Sequence, residues 1–369
     1  MSSKNDLPSR RSLTQGAVAG LAAAIAAPTL AQAQGTTQGT TTTQGAAQTP
    51  ASAGAATNSA TTLDSAPAAA GSGTAAPALR DPRTAYPKAP FPEQSQPWPG
   101  LASRMTPRPD HGETSYRGSG KLAGRKALIT GGDSGIGRAA AIAYAREGAD
   151  VAISYLPAEE EDAREVAELI RQAGRKAVQL PGDIRDENFC QKMVGEAVGG
   201  LGGLDILVNN AARQQHHDSI LDISTEDFDW TLKTNLYAMF WITKAAVPHM
   251  PPGSAIINTS SVNAYEPSEI LLDYATTKGA IMIFSKGLAK QLIKRGIRVN
   301  AVAPGPFWTP LQVSGGQSAE NLKSFGAQTP LGRPGQPAEL APVYVELASS
   351  EASYVTGQVY GASGGNGMP

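Results

Sequence analysis

Residues 130–148 read TGGDSGIGRAAAIAYAREG and follow directly after an apolar run, KALIT, at residues 126–130. The run has the length and composition of a buried strand, and the alanine-rich stretch after the glycines is typical of a helix. The T-G-x-x-x-G-x-G spacing lets the chain turn sharply and lets a phosphate approach the backbone without meeting a Cβ. The first N–H groups of the helix would then face that phosphate. The stretch therefore predicts a nucleotide-binding turn between a strand and a helix.

The same alternation continues through residues 121–369. Six more apolar runs follow the first: ADVAISY (149–155), KAVQLPGD (176–183), LDILVNNA (204–211), SAIINTSS (254–261), IRVNAVAPG (297–305) and GQVYGASGG (357–365). Amphipathic helical patterns lie between them, and such alternation indicates βαβ units. We therefore predict an α/β fold: a single Rossmann-type domain with a doubly wound parallel sheet and helices on both faces.

The N-terminus has the features of an export signal. Arg10 and Arg11 precede a short apolar stretch at residues 16–27, and a small-residue cleavage site follows at residues 31–33. This order is typical of a signal peptide, and the paired arginines resemble a twin-arginine signal. We predict that residues 1–33 direct the protein out of the cytoplasm, to the periplasm, with a cytoplasmic pool as the alternative.

Two further segments separate this signal from the domain. Residues 34–79 are low in complexity and have almost no large apolar side chains, which predicts a disordered linker. Residues 80–120 are rich in proline and carry aromatic residues that can pack. We predict an extended arm that lies on a folded body, either its own or that of a neighbouring subunit.

The composition limits the partners and the bound groups. The net charge is −1, from 31 basic and 32 acidic side chains, so neither nucleic acid nor an anionic membrane is expected as a partner. The chain has one cysteine, Cys190, and cannot form an internal disulfide. His216 and His217 lack a cysteine or a well-spaced acidic partner, so no metal site is predicted.

Tyr274 and Lys278 are four residues apart in the sequence DYATTKGA. On a helix this spacing places both side chains on one face, one turn apart. A neighbouring ammonium group stabilises a phenolate and would lower the pKa of Tyr274 from about 10 toward the working pH. Such a tyrosine can exchange a proton with a carbonyl or alcohol oxygen. The spacing alone is common, so the interpretation depends on the surrounding motifs.

Those motifs occur together and in order: TGGDSGIG at 130–137, NNA at 209–211, Asn235, Ser261 thirteen residues before Tyr274, and PG at 304–305. From about residue 120 onward the chain resembles a short-chain dehydrogenase/reductase. Within that family it is similar to the glucose/ribitol dehydrogenase-like and aldehyde reductase branch, through YLPAEEEDA, LLDYATTKGA and the proline-rich arm. One departure is NNAA, where Ala212 stands in the place of the usual glycine.

The resemblance implies a catalytic set. Tyr274 would be the general acid/base, and Lys278 would hydrogen-bond the nicotinamide ribose. Ser261 would donate a hydrogen bond to the substrate oxygen, and Asn235 would support a water behind Lys278. Ser260 is the alternative serine; Ser261 is preferred for its spacing to Tyr274.

The resemblance also implies a nicotinamide cofactor. Asp183 would hold the adenine edge, Asn210 and Ala211 would line the adenosine-ribose side, and Thr309 would touch the carboxamide or the phosphates. The predicted cofactor-binding residues are Thr130, Gly131, Asp133, Ser134, Gly135, Ile136, Gly137, Arg138, Tyr155, Asp183, Ile184, Asn210, Ala211, Lys278, Pro304, Gly305 and Thr309.

The choice between NADP and NAD depends on charge near the adenosine ribose. The second strand ends in SYLP, without a carboxylate, and Arg138 follows the glycines, which favours NADP. Asp133 and the acidic residues 159–161 favour NAD. NADP is expected, and NAD is the alternative.

Taken together, the sequence predicts an NAD(P)-dependent oxidoreductase that transfers a hydride between nicotinamide and a small aldehyde, ketone, sugar or polyol. A cofactor-binding redox sensor or scaffold without turnover is the main alternative, although such a protein has no need of a full Ser–Tyr–Lys set. An epimerase or dehydratase would have a longer C-terminal substrate domain. Residues 306–330, which include Phe307 and Trp308, resemble a mobile lid over the substrate. The family implies a homotetramer.

Overall fold

The computed structural model describes residues 79–367. The predicted signal peptide and nearly all of the predicted linker lie outside the described residues. Within residues 79–367, no helix has both the length and the apolar character needed to cross a membrane.

Seven strands form one parallel sheet, in the order β3-β2-β1-β4-β5-β6-β7. Their bounds are β1 Lys126–Thr130, β2 Asp150–Tyr155, β3 Ala177–Pro181, β4 Ile206–Asn209, β5 Ala255–Thr259, β6 Arg298–Pro304 and β7 Val359–Ala362. Each lies within one of the predicted apolar runs. The strand order reverses between β1 and β4, and ligands bind in the crevice at the carboxyl ends of the strands beside such a reversal. The predicted single parallel Rossmann-type sheet is confirmed.

Helices cover both faces of the sheet. Their bounds are α1 Gly135–Arg146, α2 Glu160–Gln172, α3 Glu187–Leu201, α4 Thr225–Leu232, α5 Ala238–Ala246, α6 Leu272–Leu292, α7 Ala319–Lys323 and α8 Pro337–Ala348. Successive side chains of a strand point to opposite faces. Accordingly, Ala127 and Ile129 of β1 join the apolar cluster formed with α1, α2 and α8, whereas Leu128 joins the cluster formed with α3, α5 and α6. Burial on both faces explains why the strands read as continuous apolar runs.

Residues 80–120, the arm, run over the surface of their own chain and contain one short helical turn, Ala102–Arg104. The Phe91 ring stacks on Trp308, with ring centroids 4.2 Å apart and an interplanar angle of 15°. The Trp308 Nε1–H donates to the Pro107 carbonyl at 2.8 Å. Trp308 is fully buried. It is therefore a packing residue between the arm and the predicted lid.

Candidate active site

A single cavity at the carboxyl ends of the strands brings most of the predicted residues together. Parallel strands place these ends at one edge of the sheet, so residues far apart in sequence meet there. The predicted residues that line the cavity are Gly131, Asp133, Ser134, Gly135, Ile136, Tyr155, Asp183, Ile184, Asn210, Ala211, Ser261, Tyr274, Lys278, Pro304, Gly305 and Thr309. Thr130, Gly137, Arg138 and Asn235 lie behind its wall.

The glycine turn leaves room for a phosphate. Gly135 has a φ of +52°, and a Cβ at this position would meet the Thr309 side chain at 3.2 Å. A Cβ on Gly137 would lie 2.0 Å from the Gly131 carbonyl oxygen, so the helix could not pack this closely on the turn with any other residue. The Ser134 side chain makes no capping hydrogen bond to α1. The turn therefore fits a dinucleotide phosphate, with helix N–H groups left to bind it.

Thr130 supports the cavity from behind. Its hydroxyl accepts hydrogen bonds from the backbone N–H groups of Asn210 at 2.9 Å and Ala211 at 3.1 Å. The Asn210 side chain donates back to the Thr130 carbonyl at 3.2 Å. These bonds hold the end of β1 against the segment after β4, and they fix the two residues predicted to line the adenosine-ribose side.

The position of Arg138 contradicts the prediction that this residue binds the cofactor. Its guanidinium has no exposed surface and lies 2.9 Å from the Glu113 carboxylate and 3.0 Å from that of Glu165. Glu113 belongs to the arm and Glu165 to α2, so the arginine holds these two segments on α1. Because its charge is directed away from the cavity and neutralised there, Arg138 is not placed to bind a cofactor phosphate.

Three carboxyl groups cluster at the β2 side of the cavity. Asp133 and Glu159 line it, and Asp162 lies beneath them. Burial, together with repulsion from neighbouring carboxylates, raises the pKa of Asp133 to about 7 and that of Glu159 to about 9. The Oδ2 atom of Asp133 is buried and has no hydrogen-bond partner. At neutral pH Glu159 is therefore protonated and Asp133 is close to its titration point, and the protonated form of each can donate a hydrogen bond.

Tyr274 and Lys278 lie on the first turns of α6, and both are buried. Burial raises the pKa of Tyr274 to about 12, partly offset by a hydrogen bond with Ser261. Burial also lowers the pKa of Lys278 to about 7. The lysine ammonium donates to the Thr259 carbonyl at 2.8 Å. The expected depression of the Tyr274 pKa is thus not found, because burial of the phenol is the largest effect and raises the pKa.

The structure distinguishes the two candidate serines. The Ser260 hydroxyl donates to the Lys278 carbonyl at 2.8 Å and so is used within the fold. The Ser261 hydroxyl accepts from the Asn263 N–H at 3.1 Å and faces Tyr274. Its proton is directed toward Tyr274 in the cavity and not into the fold, which makes Ser261 the better-placed donor for a ligand oxygen.

Asn235 lies in a single π-helical turn, Lys233–Tyr237, between α4 and α5. Its side-chain oxygen accepts from the Arg213 N–H at 2.7 Å. Its amide group donates to the Arg213 carbonyl at 2.9 Å and to the Thr277 hydroxyl at 3.0 Å. The side chain therefore joins the segment after β4 to α6 and does not enter the cavity.

The cavity also has lining residues that the motifs do not indicate. These include the apolar Val262, Leu271 and Phe325 and the amides Gln214, Asn263 and Gln312. Trp98, Pro99 and Gly100 come from the arm. The proline-rich and aromatic composition of the arm predicted packing on a body, but no sequence spacing connects residue 98 with a cavity formed by residues 131–325.

The two adjacent histidines, His216 and His217, do not line the cavity. The Nε2 atom of His216 is 3.1 Å from the carboxylate of Asp218. Across residues 79–367, His, Cys, Asp and Glu side chains form no group of three that could hold a metal ion.

Comparison with known proteins places this geometry in a family. A sequence model described as Enoyl-(Acyl carrier protein) reductase matches residues 131–366. YghA, an uncharacterized oxidoreductase of Escherichia coli (strain K12), is 59% identical over 287 residues, which are 78% of this chain and 98% of YghA. The glucose and ribitol dehydrogenase of Daucus carota is 44% identical over 279 residues, 74% of this chain and 96% of that protein. The chain is a short-chain dehydrogenase/reductase.

Structural comparison agrees. A short chain dehydrogenase from Burkholderia cenocepacia J2315, in complex with NADP, matches this short-chain dehydrogenase/reductase with a TM-score of 0.62 and 33% identity. The match covers 66% of this chain and 98% of that one. The resemblance drawn from the motifs is confirmed, and the protein is an NAD(P)-dependent oxidoreductase.

Proposed function

We propose that the protein transfers a hydride between a nicotinamide cofactor and a small aldehyde, ketone, sugar or polyol, with Tyr274 as the general acid/base. The observation that carries this proposal is the meeting of Ser261, Tyr274 and Lys278 in the cavity that also contains the glycine turn. Hydride transfer requires a carbonyl carbon over the nicotinamide and a proton source at its oxygen, and one cavity provides both positions.

The chain's own residues handle the proton. With a pKa near 12, Tyr274 is protonated at neutral pH and is a proton donor for a carbonyl oxygen that gains charge. Ser261 donates a hydrogen bond to the same oxygen and stabilises the negative charge that develops there. Lys278, fixed by the Thr259 carbonyl, places an ammonium group beside the phenol. The bound nicotinamide supplies or accepts the hydride.

The lining of the cavity supports a small and partly polar substrate. Val262, Leu271 and Phe325 give it an apolar side, and the amide groups of Asn263, Gln214 and Gln312 can bind hydroxyl groups. A polyol or a short aldehyde matches this mixture better than a long acyl chain does. The similarity to the glucose and ribitol dehydrogenase of Daucus carota supports the same substrate class.

NADP is the proposed cofactor, because the similar Burkholderia enzyme binds it. Protonated Asp133 and Glu159 could donate hydrogen bonds to a 2′-phosphate. When ionised, Asp133 and Glu159 repel a 2′-phosphate and so favour NAD, which is the second candidate. Within the described residues Lys278 is the only lysine or arginine that lines the cavity and could offset this repulsion.

Steady-state assays test the proposal. The purified protein is mixed with NADPH or NADH and a panel of short aldehydes, ketones and sugars, and with NADP or NAD and polyols, and absorbance of the reduced nicotinamide is followed. Turnover in the wild type that is lost in Tyr274→Phe supports the proposal. Tight cofactor binding with no turnover on any member of the panel would favour the redox sensor or scaffold.

Export is proposed from the predicted twin-arginine signal at residues 1–33. A twin-arginine route fits a protein that acquires its cofactor before it is exported. Cell fractionation of the full chain, compared with a variant in which Arg10 and Arg11 are both lysine, tests this. We expect the wild type in the periplasm and the variant in the cytoplasm; an equal distribution of the two would contradict export by this signal.

A homotetramer is also proposed. The exposed aromatic side chains of Tyr237 and Phe240 lie on and just before α5, and apolar groups of this size are common at subunit contacts. Sedimentation velocity of the full chain gives its mass directly. A monomer at micromolar concentration would contradict this proposal.

A further inference from the structure

The arm crosses the cofactor cavity and is attached to both of its walls. On the lid side, the Phe91 N–H donates to the Lys323 carbonyl at 2.9 Å, and the Gln96 N–H donates to the Val313 carbonyl at 2.9 Å. The Phe91 ring is stacked on Trp308. These contacts fix the first half of the arm to residues 308–323.

On the other side of the cavity the arm is attached to α2, beside the cluster of carboxyl groups formed by Asp133, Glu159 and Asp162. The Ala102 N–H donates to one carboxylate oxygen of Asp162 at 2.6 Å, and the Ser103 N–H donates to the other at 3.2 Å. Asp162 is buried and stands near the start of α2, immediately after β2. The arm therefore spans the distance between the β2 side and the lid side of the cavity.

Between these two attachments the chain is held as a rigid loop. The Gln96 side chain accepts from the Leu101 N–H at 2.8 Å and donates to the Leu101 carbonyl at 3.1 Å. A Cβ on Gly100 would lie 3.1 Å from both the Pro310 carbonyl oxygen and the Ser314 Cβ. This close approach places residues 98–100 directly in the cavity wall.

Trp98 is the large apolar side chain of this loop, and it lies at the adenine end. Its ring meets Trp230 edge-on, at 5.2 Å between centroids. The guanidinium of Arg185 lies over the same Trp230 ring at 4.3 Å, and Arg185 also binds the carboxylate of Asp183. Trp98 is half-buried and lines the cavity together with Asp183. It therefore offers an aromatic surface where a purine base would lie.

We propose that residues 98–100 are part of the cofactor site: Trp98 packs on the adenine, and the arm closes over the dinucleotide so that one of its two attachments must open before the cofactor leaves. This inference rests on the proposed function, because it takes a nicotinamide dinucleotide as the ligand. Base–aromatic contacts contribute substantially to nucleotide binding and tolerate different bases. Slow release of cofactor is the expected consequence, and it suits an enzyme proposed to carry its cofactor through export.

The test is the rate of NADPH release from the full chain. Protein loaded with NADPH is mixed with excess NADP, and the decay of bound NADPH fluorescence is followed. Trp98→Ala removes the aromatic surface, and Phe91→Ala weakens the lid-side attachment at a residue that does not itself line the cavity. We expect each to speed release by at least about tenfold. Trp98→Phe keeps an aromatic ring and should stay within about threefold of the wild type. Tyr354→Ala, a fully exposed tyrosine far from the arm in sequence, is the matched control.

Release from Trp98→Ala at the wild-type rate would overturn the inference. A wild type that binds neither NADPH nor NADH would instead overturn the proposed function, so the two failures differ. Hydrogen exchange on the wild type gives a second measurement that needs no variant. Saturating NADPH should slow exchange of the N–H groups in residues 94–103, and unchanged exchange there would also overturn the inference.

Discussion

The side-chain nitrogen of Lys278 lies 5.2 Å from the centre of the Tyr274 ring, and both residues are buried. Because burial disfavours charge, the pKa of the lysine falls to about 7 while that of the tyrosine rises to about 12. The phenol is thus protonated at neutral pH, and the lysine is near its titration point. This pairing favours proton donation, the step that carbonyl reduction requires.

Removal of the Tyr274 hydroxyl should abolish turnover. Tyr274→Phe keeps the ring and its packing but has no proton to donate, so we expect kcat to fall by roughly 10²–10⁴. The affinity for NADPH, measured by fluorescence titration, should stay within about threefold of the wild type. An equal loss of binding and turnover would contradict the assigned role.

Lys278 should make stability depend on pH. Its folded-state pKa is about 7, against 10.5 for an ordinary lysine. Between these values the unfolded chain holds a proton that the folded protein lacks, so the free energy of unfolding rises as the pH rises from 7 to 10.5. Below pH 7 both states are protonated and the cost of burying the charge is fully present.

Lys278→Met should remove this dependence. The free energy of unfolding of the variant should exceed that of the wild type by the largest amount at pH 6. This difference should shrink by on the order of 3 kcal/mol between pH 6 and pH 10. Urea denaturation of both proteins without cofactor, at each pH, measures the two free energies of unfolding. Lys286→Met, at an exposed position on the same helix, is the control. A constant difference between variant and wild type across this range would refute the prediction.

Asp133 should make the preference between NADP and NAD depend on pH. The pKa of Asp133 is about 7, so its carboxyl group ionises as the pH rises from 6 to 8. The new negative charge repels a 2′-phosphate, and we expect the ratio of Kd for NADP to Kd for NAD to rise roughly threefold to tenfold.

Asp133→Asn keeps the shape of the side chain but cannot ionise, so the ratio should change less over the same pH range. Glu168→Gln, an exposed change on α2, is the control and should behave as the wild type does. Titration calorimetry with each cofactor gives both constants. A ratio in the variant that follows the wild-type pH dependence would rule out Asp133 as its source.

Arg138 should contribute to stability rather than to cofactor choice. Arg138→Met leaves the carboxylates of Glu113 and Glu165 without their buried partner, although Glu165 keeps Arg108, and we expect a loss of about 1–3 kcal/mol in the free energy of unfolding. The ratio of NADP to NAD affinity should be unchanged. Arg164→Met, whose guanidinium is exposed, is the control. Selective loss of NADP binding in Arg138→Met would return this arginine to the phosphate site.

The sequence by itself determined the fold and indicated Ser261, Tyr274 and Lys278, which line one cavity. Local structure depends on short-range patterns: the apolar run and glycine spacing in residues 126–148, and the four-residue interval between Tyr274 and Lys278. The local structure of these segments could therefore be predicted from the sequence. The carboxyl ends of parallel strands meet at one edge, which is why residues chosen from separate motifs came together in one cavity.

Only the tertiary structure decided the roles that depend on what packs against a side chain. Arg138 follows the glycines in sequence, yet Glu113 and Glu165 draw its charge away from the cavity. Burial, not the neighbouring lysine, sets the pKa of Tyr274. Trp98 reaches the cavity because backbone N–H groups of the arm bind backbone carbonyls on one wall and the Asp162 carboxylate on the other, and backbone donors leave no pattern in the residue types.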